Sequence, residues 1–228
     1  MTKRVLVVLT SHDSIPGDNR ATGVWLEELT TPYSHFSDAG FDVVLASPVG
    51  GEVPIDPHSK EESAESISRF LADAHAVAQL KNSKRLSDVS SSDFDAIFLP
   101  GGHGTMFDLP DNKSLASLLS QAWKDKKIIA AVCHGPAGLL GASDENGRPL
   151  VEGRRVSAFS NVEEEAAGLT DQMPFLLEDR VRDLGGLYEV APAFTPFAIR
   201  DGLLITGQNP QSSEKVAELV VEAISERV

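Results

Sequence analysis

Hydrophobic and polar positions follow two rhythms along this chain. Unbroken apolar runs occupy Arg4–Leu9, Asp42–Ala46, Asp95–Leu99, Ile128–Val132 and Leu203–Thr206. Runs of this length read as strands buried on both faces. Between them the apolar positions recur at helical spacing. Helices are predicted over Val24 to about Asp38, interrupted near Pro32, and over Lys113–Lys124. Two more are predicted around Pro174–Leu184 and over Glu214–Glu226, the last capped by Ser212 or Ser213. Gly40 stands where a left-handed cap closes the first helix, and Val156–Phe159 reads as a short strand. Strands alternating with helices predict an α/β fold, a doubly wound and mainly parallel sheet with right-handed crossovers.

The stretch 54–92 breaks the rhythm. It holds a helix candidate around Glu61–Leu80 and a Ser-rich run, Ser87–Asp93, with too few apolar residues for a core of its own. It is expected to be an excursion from one domain spanning residues 1–228. The apolar fraction, 41%, suffices for an ordinary core, while 34 acidic against 20 basic residues give a formal charge of −14. Such a surface repels nucleic acid and anionic membranes, so neither is an expected partner. No apolar stretch approaches the roughly 18 residues of a membrane span. A single cysteine excludes an intrachain disulfide and fits a reducing, cytoplasmic setting.

In a doubly wound sheet, ligands bind beyond the carboxyl ends of the strands. Ser11-His12, Gly101–Gly104, Cys133-His134 and Gly207–Pro210 all follow predicted strands and converge on that edge. The most telling stretch is Lys126–Leu140, KKIIAAVCHGPAGLL. A buried strand stops on Cys133-His134 and turns at once through Gly135-Pro136 into a short apolar helix. This is the arrangement of a nucleophile elbow, with sulfur in place of oxygen. The helix N-terminus is expected to favour the thiolate.

Around Cys133 the residues offer a set of partners. His134 is its neighbour, and one of Glu163, Glu164 and Glu165 can orient that imidazole. Gly101-Gly102 allows close backbone approach, and its N–H groups, with that of His134, suit an oxyanion. Glu27 or Glu28, early in the first helix, can face the same edge as a proton-transfer group. The remaining histidines show no metal-ligand spacing, so neither a metal nor another cofactor is expected.

AAVCHGP, with LPGGHGTMFDLP upstream, resembles the ThiJ/PfpI (DJ-1) superfamily, specifically its heat-shock-protein-31-like branch. The likeness extends to VLVVLTSH, TGVWLEELTTPY, NGRPLVEGRRVSAFSNVEEE and LLITGQNPQSS. It implies a flavodoxin-like sheet of the class I glutamine amidotransferase kind, and a homodimer. The catalytic positions it implies are Cys133, His134, Glu28 rather than Glu27, and Glu164 within the glutamate triplet. Gly101, Gly102 and His103 then line the substrate and oxyanion position.

The resemblance implies a glutathione-independent glyoxalase, turning a small 2-oxoaldehyde such as methylglyoxal, with water, into lactate. Alternatives within the same likeness are a stress chaperone or redox-sensing module, a protein deglycase, and a cysteine peptidase or amidase. Turnover of methylglyoxal, protection of an aggregating client and cleavage of amides separate them.

Overall fold

The computed structural model describes residues 2–17, 20–61 and 63–227. Strand β1 (Arg4–Val8) is followed by a small hairpin, β2 (Ser14–Ile15) with β3 (Arg20–Ala21), and then by helix α1 (Leu26–Asp38). Next come β4 (Asp42–Ser47), α2 (Glu65–Ala72), α3 (Ala74–Lys81), β5 (Lys84–Arg85) and β6 (Ala96–Leu99). A single turn, α4 (Thr105–Asp108), and α5 (Lys113–Lys124) lead to β7 (Ile128–Val132). Beyond it lie β8 (Arg155–Val156), α6 (Asn161–Ala167), α7 (Leu177–Asp183) and β9 (Leu187–Tyr188). The chain finishes with β10 (Ala198–Asp201), β11 (Leu204–Gly207) and α8 (Ser213–Ser225).

Seven strands form one sheet in the order β10-β11-β7-β6-β1-β4-β5. Every neighbouring pair runs parallel except β10 with β11. The predicted doubly wound α/β sheet is thus present. Residue alternation along the strands feeds two cores. Val5, Val7, Ile128, Ala130 and Val132 face α1 and α8, where Leu29, Phe36, Val216 and Val220 meet them. Leu6, Val8, Ile129 and Ala131 face the opposite way, toward Leu115, Leu119 and Trp123 of α5. Both faces are buried, which is why these strands read as unbroken apolar runs rather than alternating ones.

Several predicted elements differ from the observed ones. Helix α1 runs through Pro32 without interruption. The lost backbone hydrogen bond and the ring clash, together about 3 kcal/mol, are outweighed by burial of Leu26, Leu29, Tyr33 and Phe36 at roughly 1.5–3 kcal/mol each. The helix expected over Glu61–Leu80 is divided at Asp73, whose carboxylate accepts from His75 N–H and Ala76 N–H and so starts α3. The excursion also returns to the sheet, since Lys84-Arg85 pairs with β4 at the edge.

The expected strand Val156–Phe159 shortens to β8, which pairs with β9 outside the main sheet. Edge strand β10 lies just before the predicted strand Leu203–Thr206, in a stretch for which no element is predicted. Neither serine caps α8 through its side chain as predicted: Ser212 Oγ bonds Asn209, and Ser213 Oγ donates to the Pro210 carbonyl. Among the described residues no helix is long and apolar enough to cross a membrane.

Candidate active site

Strand β7 ends on Val132, and the next residue, Cys133, has φ +58°. A side chain rarely takes this left-handed conformation, and holding one there costs about 1–3 kcal/mol. Two neighbours clamp the turn. Cys133 N–H donates to the Gly207 carbonyl at 3.0 Å, and its own carbonyl accepts from Phe159 N–H at 2.9 Å. The elbow read from the sequence is present. The helix after it is only a five-residue 3-10 segment, Gly135–Leu139.

All four side chains named as catalytic are buried together. His134 Nδ1 lies 3.3 Å from Cys133 Sγ, and His134 Nε2 lies 2.7 Å from Glu164 Oε2. From the first turn of α1, Glu28 reaches the same place. Its Oε2 accepts from Gly101 N–H at 2.6 Å, and its carboxylate hydrogen-bonds the Cys133 thiol. Glu27 is only partly buried, on the side away from this cluster.

The glutamate triplet divides by position. A capping box at Ser160 starts α6 and turns Glu163 inward. Glu163 accepts from Ser160 N–H and Oγ, from Phe194 N–H at 2.7 Å and from Asn209 Nδ2 at 2.8 Å. Glu164 faces the histidines, and Glu165 is exposed.

Two expectations meet a different arrangement. Gly101, read as an oxyanion donor, spends its N–H on Glu28. His103, placed at the substrate and oxyanion position, has its Nε2 3.0 Å from Glu164 Oε1. Gly102 packs so closely against the segment that leads into α1 that a Cβ there would collide with the Gly23 carbonyl oxygen, and its φ is +100°.

The electrostatics correct the expected acidity of Cys133. Burial, the charge of Glu28 and the hydrogen bond to it push the thiol up, against a smaller opposing effect of His134 N–H. A single short turn of helix does not offset these. Burial and the adjacent His103 hold His134 below its ordinary value, against the pull of Glu164. Burial also opposes ionisation of Glu164, but the two imidazoles outweigh it and hold that carboxyl below the usual range. The site therefore pairs a protonated thiol with a neutral imidazole.

Among the described residues, His103, His134 and Glu164 are the group with metal-ligand chemistry, their donor atoms within 4.8 Å of one another. Sequence spacing does not reveal this group, because its members come from three separate segments: the turn after β6, the elbow after β7 and helix α6. Aromatic rings complete the wall: Phe159 lies 4.4 Å from the His134 ring, and Phe194 6.2 Å from Phe159. Neither phenylalanine was singled out from the sequence as part of a site.

The profile of the DJ-1/PfpI family matches residues 20–223. The chain belongs to the DJ-1/PfpI family. Glyoxalase 3 of Candida albicans is 33% identical, over 96% of this chain and 98% of its own. Glutathione-independent glyoxalase HSP31 of Saccharomyces cerevisiae is 32% identical, over 97% and 98%. Among solved structures, the rapid encystment protein of 24 kDa from Francisella tularensis superposes with a TM-score of 0.95 at 39% identity, covering 98% of this chain and 99% of that one. The DJ-1/PfpI assignment accounts for the near-complete coverage of the resemblance read from the motifs.

Proposed function

We propose that the protein is a glutathione-independent glyoxalase of the glyoxalase III type, converting methylglyoxal and water to lactate. The observation that carries this reading is the buried Cys133, set at a left-handed turn between Glu28 and His134. Full-length similarity to two curated glyoxalases supports the same class.

The chemistry follows from the protonation states. The thiol is not ionised in advance, so His134 Nδ1 removes its proton as sulfur adds to the aldehyde carbon. Glu164 holds the imidazolium that forms. The product is a hemithioacetal, whose oxygen is stabilised by backbone N–H groups at the loop edge, including that of Gly102. Glu28 then takes the hydrogen from the former aldehyde carbon and returns a proton to the neighbouring carbon. The first carbon becomes a thioester while the ketone becomes a secondary alcohol, so no external oxidant is required. Water cleaves the thioester, giving lactate and the free thiol.

A cytoplasmic location and a homodimer belong to the same reading as proposals, and a stress chaperone role is its alternative. The deciding experiment supplies methylglyoxal without glutathione and follows lactate, in parallel with amide substrates. Equimolar lactate with intact amides is expected, and amide cleavage without lactate would favour a peptidase or amidase.

A further inference from the structure

We propose that His103 is a positioning residue that works through Glu164, holding one carboxylate oxygen so that the other faces His134. The inference rests on the glyoxalase reading for its turnover readout only. An ionised carboxylate can only accept, so both Nε2 atoms at Glu164 carry hydrogens. His134 is then the tautomer whose Nδ1 lone pair faces the Cys133 thiol, which is the form able to take its proton. With His103 on Oε1 at 3.0 Å and His134 on Oε2 at 2.7 Å, neither oxygen is left unbound.

The backbone fixes His103 for this task. Its two neighbours are Gly102, pressed against the Gly23 carbonyl, and Gly104, where a Cβ would lie 2.6 Å from the His12 carbonyl oxygen. Thr105 Oγ1 lies within hydrogen-bonding distance of both the Gly102 and His134 carbonyls, tying this loop to the elbow. The His103 ring stands 4.3 Å from the His134 ring, centroid to centroid.

His103 also acts on the charge of His134. The groups facing His134 are the Cys133 thiol at Nδ1, Glu164 at Nε2, His103 beside the ring and the more distant Glu163. His103 disfavours an imidazolium at 134, whereas both glutamates favour it.

Two variants test the position. His103→Phe keeps the ring but removes both nitrogens, while His103→Gln keeps an N–H for Glu164 Oε1. In His103→Phe, kcat/KM should fall about 10–100-fold, the range for outer partners of a working residue. His103→Gln should recover it to within about threefold of wild type. Nitrogen NMR of the His134 ring reads its tautomer without turnover, so the inference is testable if no lactate forms: the Nε2–H form should dominate in wild type and His103→Gln and lose that dominance in His103→Phe. A folded His103→Phe with the wild-type rate and the wild-type His134 tautomer overturns it. Equal damage in the two variants overturns the positioning role.

Discussion

Glu163 and Glu164 are consecutive residues of one short helix, and their carboxylates serve different structures. Glu163 joins the start of α6 to the Phe194 loop and to Asn209 beyond β11. Glu164 reaches His134 and His103. The first is a structural clamp and the second an acid partner of the site, so their loss should be read by different assays.

Glu163→Gln should destabilise the fold. Each Glu163 oxygen accepts two hydrogen bonds, so an amide NH2 must face donors at one of the two positions. Leaving such groups unpaired costs about 2–4 kcal/mol. Urea unfolding should show that loss, while Glu165→Gln, at an exposed position, stays within about 0.5 kcal/mol of wild type.

Glu164→Gln should keep most of the stability and lose activity. The amide can still accept from His134, but without the charge that steadies its imidazolium. A fall of about 10–100-fold in kcat is expected, following the range for outer partners. Steady-state rates, beside an unfolding curve that places the variant near wild type, check this.

Glu28→Gln should have two effects of opposite sign. Turnover should fall by about 10²–10⁴-fold on the proposal that Glu28 moves the proton between the two carbons. The Cys133 thiol should become more acidic, because the charge of Glu28 and its hydrogen bond both push it up. Iodoacetamide alkylation against pH should therefore show a lower midpoint in the variant. A higher midpoint contradicts the assigned electrostatics.

Asp108 supplies a pH-dependent test of stability. Burial pushes its carboxyl from 3.8 up to about 6, against bonds from Ser11 N–H and Thr10 Oγ1. The folded value lies above the unfolded one, so its contribution is fully present below about pH 4 and is lost as pH rises through about 6. Asp108→Asn avoids the charge and should gain about 1–3 kcal/mol over wild type at pH 8, with no gain near pH 4. Thermal unfolding at the two pH values measures the difference.

The core strands and the elbow were legible because each is specified locally. Five apolar residues followed by Cys-His-Gly-Pro carry their own geometry. Edge pieces were less so: Lys84-Arg85 has no apolar signature, and its pairing depends on Ala46-Ser47 of a distant strand. Pro32 misled because a local rule was overridden by packing around it. At the site, Cys133 and His134 followed from spacing, whereas the resemblance was needed to select Glu28 and Glu164. The sharing of Glu164 by His103 was invisible, since 61 positions separate the two residues. The thiol's acidity was misread because the short helix was visible in the sequence and the burial was not.

The central claim is that Cys133 is the covalent nucleophile of a glutathione-independent glyoxalase. Its most direct test is lactate formation from methylglyoxal by wild type and Cys133→Ser, without glutathione, with circular dichroism confirming that both are folded. Wild type should release lactate, and the variant should produce none above the uncatalysed background. Substantial lactate from folded Cys133→Ser would contradict covalent catalysis at this residue.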